Sequence, residues 1–277
     1  MSRLPEFAAD FPLLWLICTG GLGGITGSFL NVVIHRLPVM LERRWRREAL
    51  MLLEHSVPES GSAFNLMVPR SHCPCCFHPL SIRDNIPLFS YLFLKGKSRC
   101  CGKRIPVYYP LVEITNSVLF ILAASRFPPG LTLAAAWLFI SILLVLAVID
   151  CRTTLLPDVL TLPLLWLGLL FSLQGGIVPL EEAVVGTVSG YLCLWGLYWI
   201  FRFATGREGL GYGDFKLAAA LGAWMGWQAL PSVLLVASVS GLIITVLLRF
   251  VTATDFTRPL PFGPWLALSG VCHFLLM

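Results

Sequence analysis

The chain has 277 residues, 57% hydrophobic and 13% charged, with a formal net charge of +5. Soluble globular chains are about 45–50% apolar and about 25% charged. An ordinary soluble enzyme is therefore excluded, and so is a disordered chain, which needs low hydrophobicity. The composition is that of an all-α polytopic membrane protein.

The first predicted element is a charge-free stretch over 11–34, near the ~20 residues that cross the hydrocarbon. The segment before Phe11 holds two acids, one base and no small-residue cleavage site, so it does not read as a cleavable signal peptide.

The next stretch, 35–106, carries 12 of the 20 basic residues against five acids, a net charge of +7. Basic loops stay on the cytoplasmic side, which places 35–106 there. Topology and anionic lipid account for this charge, so lipid is the expected partner and nucleic acid is not. Within it, 41–54 (LERRWRREALMLLE) is amphipathic. It either lies on the inner membrane surface or packs on its own loop domain.

Five of the nine cysteines fall in this loop, in Ser71-His72-Cys73-Pro74-Cys75-Cys76 and Cys100-Cys101-Gly102. A cytoplasmic loop keeps thiols reduced. Two cysteine pairs about 25 residues apart have the spacing of a structural tetrahedral zinc site. The candidate ligands are Cys73, Cys76, Cys100 and Cys101. The second pair is irregular, because Ser98 stands where a regular C-x-x-C would begin. Either Cys100 bends in, or His72, His78 or Cys75 is the fourth ligand; a cluster of free thiols is the alternative to a metal. Cys18, Cys151, Cys193 and Cys272 lie in or beside apolar segments and read as small buried hydrophobes.

A span over 106–125 carries one charge, Glu113, which snorkels, pairs with a base or lines a site. Further spans follow over 127–149, 159–180 and 183–201. The charge-free stretch 217–248 is 32 residues long with Pro231 inside, and reads as helices 215–229 and 232–249 joined at a tight turn. A last span covers 259–277. Eight spans put both termini outside and 18 of the 20 bases inside. The expected organisation is a first span in 1–34, a loop domain over 35–106 and a seven-helix membrane domain over 107–277.

Asp150 ends the span 127–149, and Asp214 begins helix 215–229 within Gly211-Tyr212-Gly213-Asp214. This topology puts both at the cytoplasmic membrane surface, where a carboxylate is a functional candidate. Two carboxylates held close cannot both ionise easily; one can activate water while the other donates a proton. Gly211 and Gly213 would permit non-helical backbone and close approach of an extended substrate. The plain alternatives are an Asp150 ion pair with Arg152 or Lys216, and N-caps at Asp214 and Asp158. A transporter using the aspartates as ion ligands, or a non-enzymatic assembly scaffold, would also fit these features.

The motifs carry a resemblance. Gly27-Ser28-Phe29-Leu30-Asn31-Val32-Val33-Ile34-His35-Arg36-Leu37-Pro38, Ser71-His72-Cys73-Pro74 through Cys76, Asp84-Asn85-Ile86-Pro87-Leu88 and Tyr109-Pro110-Leu111-Val112-Glu113 occur in order. Asp150 with Pro157-Asp158, Gly211-Tyr212-Gly213-Asp214-Phe215-Lys216-Leu217 and Pro261-Phe262-Gly263-Pro264 follow. Together they resemble the type IV prepilin peptidases, bifunctional leader peptidases and N-methyltransferases. The resemblance implies an inner-membrane aspartyl protease of the G-x-G-D type with Asp150 and Asp214 catalytic, and Gly211, Gly213, Lys216 and Glu113 in support. It implies cleavage of the basic leader of type IV prepilins or type II secretion pseudopilins, after a Gly, at the cytoplasmic face. It also implies N-methylation with S-adenosylmethionine and zinc in the loop. That family commonly has Cys-x-x-Cys twice in the loop; Ser98-Arg99-Cys100-Cys101 departs from it.

Overall fold

The computed structural model describes residues 3–53, 64–70, 72–73, 76, 78–79, 81, 88–207, 209–252 and 261–277. Cys75 and the run Asp84-Asn85-Ile86-Pro87 lie outside the described residues. The chain divides into two compact units, Met1–Ser125 and Arg126–Met277.

In the first unit, α1 (Arg3–Asp10) leads into α2 (Pro12–Leu52), a 41-residue helix. It runs past the boundary expected near residue 34 and takes in the amphipathic 41–54 stretch as far as Leu52. Leu, Glu, Arg and Ala are strong helix formers, so the turns beyond Pro38 continue the rod rather than start a separate element. After α3 (Phe89–Phe93) comes α4 (Tyr108–Arg126), which packs along α2. A side chain at Gly23 or Gly27 would meet the Cα of Ser117 at 2.7 Å or of Glu113 at 2.9 Å, so small residues set the approach. Polar groups then join the pair. The Asn116 side-chain amide donates to the Gly23 carbonyl at 2.7 Å and to Thr26 Oγ1 at 2.8 Å. Asn31 donates to the Tyr109 carbonyl at 3.0 Å. Arg36, buried, donates to the carbonyls of Asn65, Leu66 and Pro69, and so fixes 65–69 to α2.

The second unit contains α5 (Leu131–Thr153), α6 (Asp158–Leu173), α7 (Leu180–Thr205), α8 (Tyr212–Met225), α9 (Leu230–Thr252) and α10 (Gly263–Leu276). Helix α8 is enclosed by α6, α7 and α10, and all its residues from Asp214 onward are buried except Lys216. Phe139, Phe171, Trp224 and Phe274 form the aromatic centre, with ring centroids 4.6–6.0 Å apart. The indole of Trp224 is satisfied by the Leu164 carbonyl at 2.8 Å.

Eight helices coincide with the expected spans. Among the described residues, five are long and apolar enough to cross a membrane, within α2, α4, α5, α7 and α9; α6 and α10 are shorter apolar helices. At 14 residues, α8 is about 21 Å long, short of the ~30 Å hydrocarbon. The α8–α9 break falls at Gly226, where φ is +76°, and not at Pro231. Pro231 sits in the first turn of α9, where its missing N–H costs no helical bond. Cys18, Cys151, Cys193 and Cys272 are exposed rather than buried. Lipid is as apolar as a core, so an apolar segment does not say which of its faces turns inward.

Candidate active site and metal centre

Asp150 lies in the last turn of α5. The following Thr154 has φ +51° and donates its N–H to the Asp150 carbonyl at 2.8 Å, which ends the helix and turns the chain into 155–157. Asp214 is the third residue of α8 rather than its cap, since the N-cap is Gly211. Its Oδ2 nevertheless accepts the Gly211 N–H at 3.2 Å. Asp150 is 5% exposed and Asp214 7%. Asp150 Oδ2 also accepts the N–H of Gly263, the first residue of α10, at 3.1 Å. The end of α5 thus meets the start of α10, and each carboxylate takes a backbone donor from a helix N-terminus, where partial positive charge favours it. Asp214 Oδ1 is buried without a hydrogen-bond partner.

Leu156 ties these segments together. Its side chain lies 2.7 Å from where a Cβ on Gly213 would stand, and 3.1 Å from where one on Gly263 would stand. Gly213 is therefore needed for its size; it is helical, contrary to the expectation of irregular backbone there. Gly211 is extended at φ −85°, a conformation open to any residue. Asp158 is the first residue of α6, with Pro157 as the N-cap, and its carboxylate pairs with Lys216 Nζ at 2.7 Å. Lys216 thus serves Asp158 rather than Asp150, and ties the start of α6 to α8. Glu113, in the first unit, is buried and accepts the Leu88 N–H at 2.9 Å, anchoring the chain where it leaves the loop.

Sequence reasoning missed the roles of Gly263 and Leu156. The signal available for Gly263 was a glycine followed by proline at a helix start.

The Sγ atoms of Cys73, Cys76, Cys100 and Cys101 all lie within 4.8 Å of one another. Cys73–Cys101 is 3.6 Å and Cys76–Cys100 is 3.1 Å. Tetrahedral zinc–thiolate bonds of about 2.3 Å set sulfurs roughly 3.8 Å apart, so the group can hold a metal ion. A hydrogen bond with the neighbouring Cys100 thiol pushes the pKa of the Cys76 thiol up to about 12. His72 and His78 are outside this group; the His72 Nδ1 lies 3.1 Å from the Arg70 carbonyl.

A Cβ at Gly20 would meet Ile121 and one at Gly23 would meet Ser117, so those glycines serve helix packing.

Comparison with known proteins follows this division. The description "Bacterial Peptidase A24 N-terminal domain" matches residues 22–127, and "Type IV leader peptidase family" matches residues 137–246. The chain is 55% identical over 276 residues to a prepilin leader peptidase/N-methyltransferase of Pectobacterium carotovorum subsp. carotovorum, covering 100% of this chain and 98% of that protein. It is 53% identical over 273 residues to one from Dickeya chrysanthemi, covering 99% and 96%. It is 45% identical over 267 residues to one from Pseudomonas aeruginosa, covering 96% and 92%. No solved structure matches the chain.

Proposed function

The chain belongs to the type IV leader peptidase family, and on that premise we propose that it removes the basic leader from type IV prepilins or type II secretion pseudopilins and methylates the new N-terminus. Asp150 and Asp214 are the catalytic pair. The observation that carries this is two buried carboxylates, each held by a backbone N–H at a helix start, on segments that Leu156 packs together. One carboxylate takes a proton from water, whose oxygen attacks the scissile carbonyl carbon. The other gives its proton to the carbonyl oxygen. Collapse of the tetrahedral intermediate breaks the C–N bond as the carboxyl that took water's proton gives it to the leaving nitrogen, and a hydroxyl of the intermediate returns its proton to the other carboxylate. The pair is then back to one ionised and one protonated carboxyl for the next cycle.

The chain sits in the bacterial inner membrane. The basic stretch 35–106 is cytoplasmic and both termini are periplasmic, an orientation that counts the short α6, α8 and α10 as crossings together with their flanking turns. The apolar prepilin helix lies in the bilayer with its scissile bond at the cytoplasmic surface, and its basic leader lies against anionic lipid rather than the basic loop. Gly211, with its extended backbone, supports the start of α8, and Gly213 leaves room for Leu156. The Lys216–Asp158 pair holds α8 to α6, and Glu113 steadies the loop where it rejoins α4. Zinc is the metal that Cys73, Cys76, Cys100 and Cys101 would hold, where it cross-links two short hairpins in a loop too polar to fold on a core. S-adenosylmethionine supplies the methyl group.

The test is cleavage of a prepilin in membranes, with the intact mass of the product. Wild type should remove the leader and add the mass of one methylene group. Asp150→Asn and Asp214→Asn should each slow cleavage by at least about 100-fold, the lower end of what general acid–base groups contribute. Both variants should remain in the membrane. Normal processing by either variant would overturn the pair.

A further inference from the structure

Two hairpins carry the four sulfurs, and their registers superpose. In the first, His72 bridges to Pro79 and the Cys73 N–H donates to the His78 carbonyl at 2.9 Å. In the second, Lys97 bridges to Arg104 and the Ser98 N–H donates to the Lys103 carbonyl at 2.8 Å. Counted inward from these rungs, Cys73 corresponds to Ser98, and Cys76 to Cys101. A hydroxyl therefore stands at the place where the first hairpin presents a ligand sulfur. Ser98 has not left the cluster. Its Oγ lies 3.5 Å from Cys73 Sγ and 3.1 Å from Cys100 Sγ.

The second hairpin also brings its next cysteine inward. The Gly102 N–H donates to the Ser98 carbonyl at 2.9 Å, and Gly102 has φ +67°. This tightens 98–102 into a single turn with Cys100 and Cys101 at its tip. Cys100 reaches across to within 3.1 Å of Cys76. Soft thiolates are preferred over a hydroxyl by zinc and similar metals, and the hydroxyl is well placed to hydrogen-bond to one of them. Such outer-shell donors orient a ligand and tune the metal.

We propose that Cys100 supplies the fourth thiolate of the metal site in place of position 98, and that Ser98 acts as a hydrogen-bond donor to the Cys73 sulfur. The inference rests on the metal reading given above and adds the ligand register and the work of Ser98.

Cobalt(II) loading of the full-length chain in detergent tests it, because the intensity of the sulfur-to-cobalt charge-transfer band follows the number of thiolates. Wild type should show four thiolates. Cys100→Ser should show three and bind cobalt more weakly by more than the ~10–100-fold of an outer-shell change. The double variant Ser98→Cys/Cys100→Ser should return to four, which separates ligand loss from misfolding. Ser98→Ala should keep four thiolates and bind about 10-fold more weakly. A Cys100→Ser protein with an undiminished four-thiolate band would overturn the assignment of Cys100. Failure of the double variant to regain four would overturn the register, and an unchanged affinity in Ser98→Ala would overturn the role of Ser98. A wild-type chain that takes up no cobalt and carries no zinc by elemental analysis would remove the metal reading itself.

Discussion

Asp150 is held by a main-chain donor at Gly263, and the space between them is closed to any side chain. A Cβ at Gly263 would stand 2.6 Å from Asp150 Oδ2 and 3.1 Å from Leu156. Gly263→Ala should therefore displace the Asp150 carboxylate while leaving α10 helical. Misplacement of a reacting group by about 1 Å can cost ~100-fold in rate. The expected result is a fall of that order in prepilin cleavage with normal protein levels in the membrane; unchanged initial rates would show that the carboxylate does not depend on this contact. Asp150 and Asp214 were legible in the sequence because a lone acid at the end of an apolar run is costly unless used. The contact with Gly263 was not, because it joins residues 113 apart in the chain and follows only from how α10 packs on α5. Lys216 shows the same limit. Its charge was visible and was matched with Asp150, whereas the folded turn at 154–157 brings Asp158 to it instead.

Helix α8 depends on small residues facing α7. Gly186 and Gly190 on α7 lie against Gly222 and Ala218 on α8, so closely that a Cβ on Gly186 or Gly222 would run into the other helix's backbone. This is the small-residue packing that membrane helices use where lipid gives no hydrophobic drive to associate. Gly222→Val should destabilise the chain by at least the ~1–3 kcal/mol typical of overpacking, seen as a lower unfolding temperature in detergent. Gly196→Val on α7 is the control, because nothing lies within 4 Å of a Cβ there. Equal melting of the two variants would argue against the packing account. The apolar runs showed that these helices exist, and roughly where they begin and end. They did not show that α2 would continue to Leu52, because its charged continuation satisfies helix propensity as well as loop polarity. Nor did they show that α8 is buried among α6, α7 and α10.

Across the chain, charge asymmetry sets the expected orientation. On that expectation the twelve bases in 35–106 keep that stretch in the cytoplasm, and the α6–α7 connection would lie outside. A bacterial alkaline phosphatase fused after Gln174 should be active, and one fused after Trp45 inactive, since such a reporter folds only where its disulfides form. The reverse pattern would invert the topology and place the aspartates on the wrong face for a cytoplasmic leader. By itself the sequence determined the class and most of the helical segments, and it marked Asp150, Asp214 and the loop cysteines as candidates. Each of these is a local matter of hydropathy, charge or short spacing. The tertiary structure decided what touches what: Gly263 on Asp150, Leu156 against Gly213, Lys216 on Asp158, and Cys100 with Ser98 inside the thiol cluster. In an apolar chain, nearly every helix face is chemically acceptable to both lipid and protein. Close packing of small residues and a few satisfied polar groups choose the partner, and these depend on three-dimensional fit.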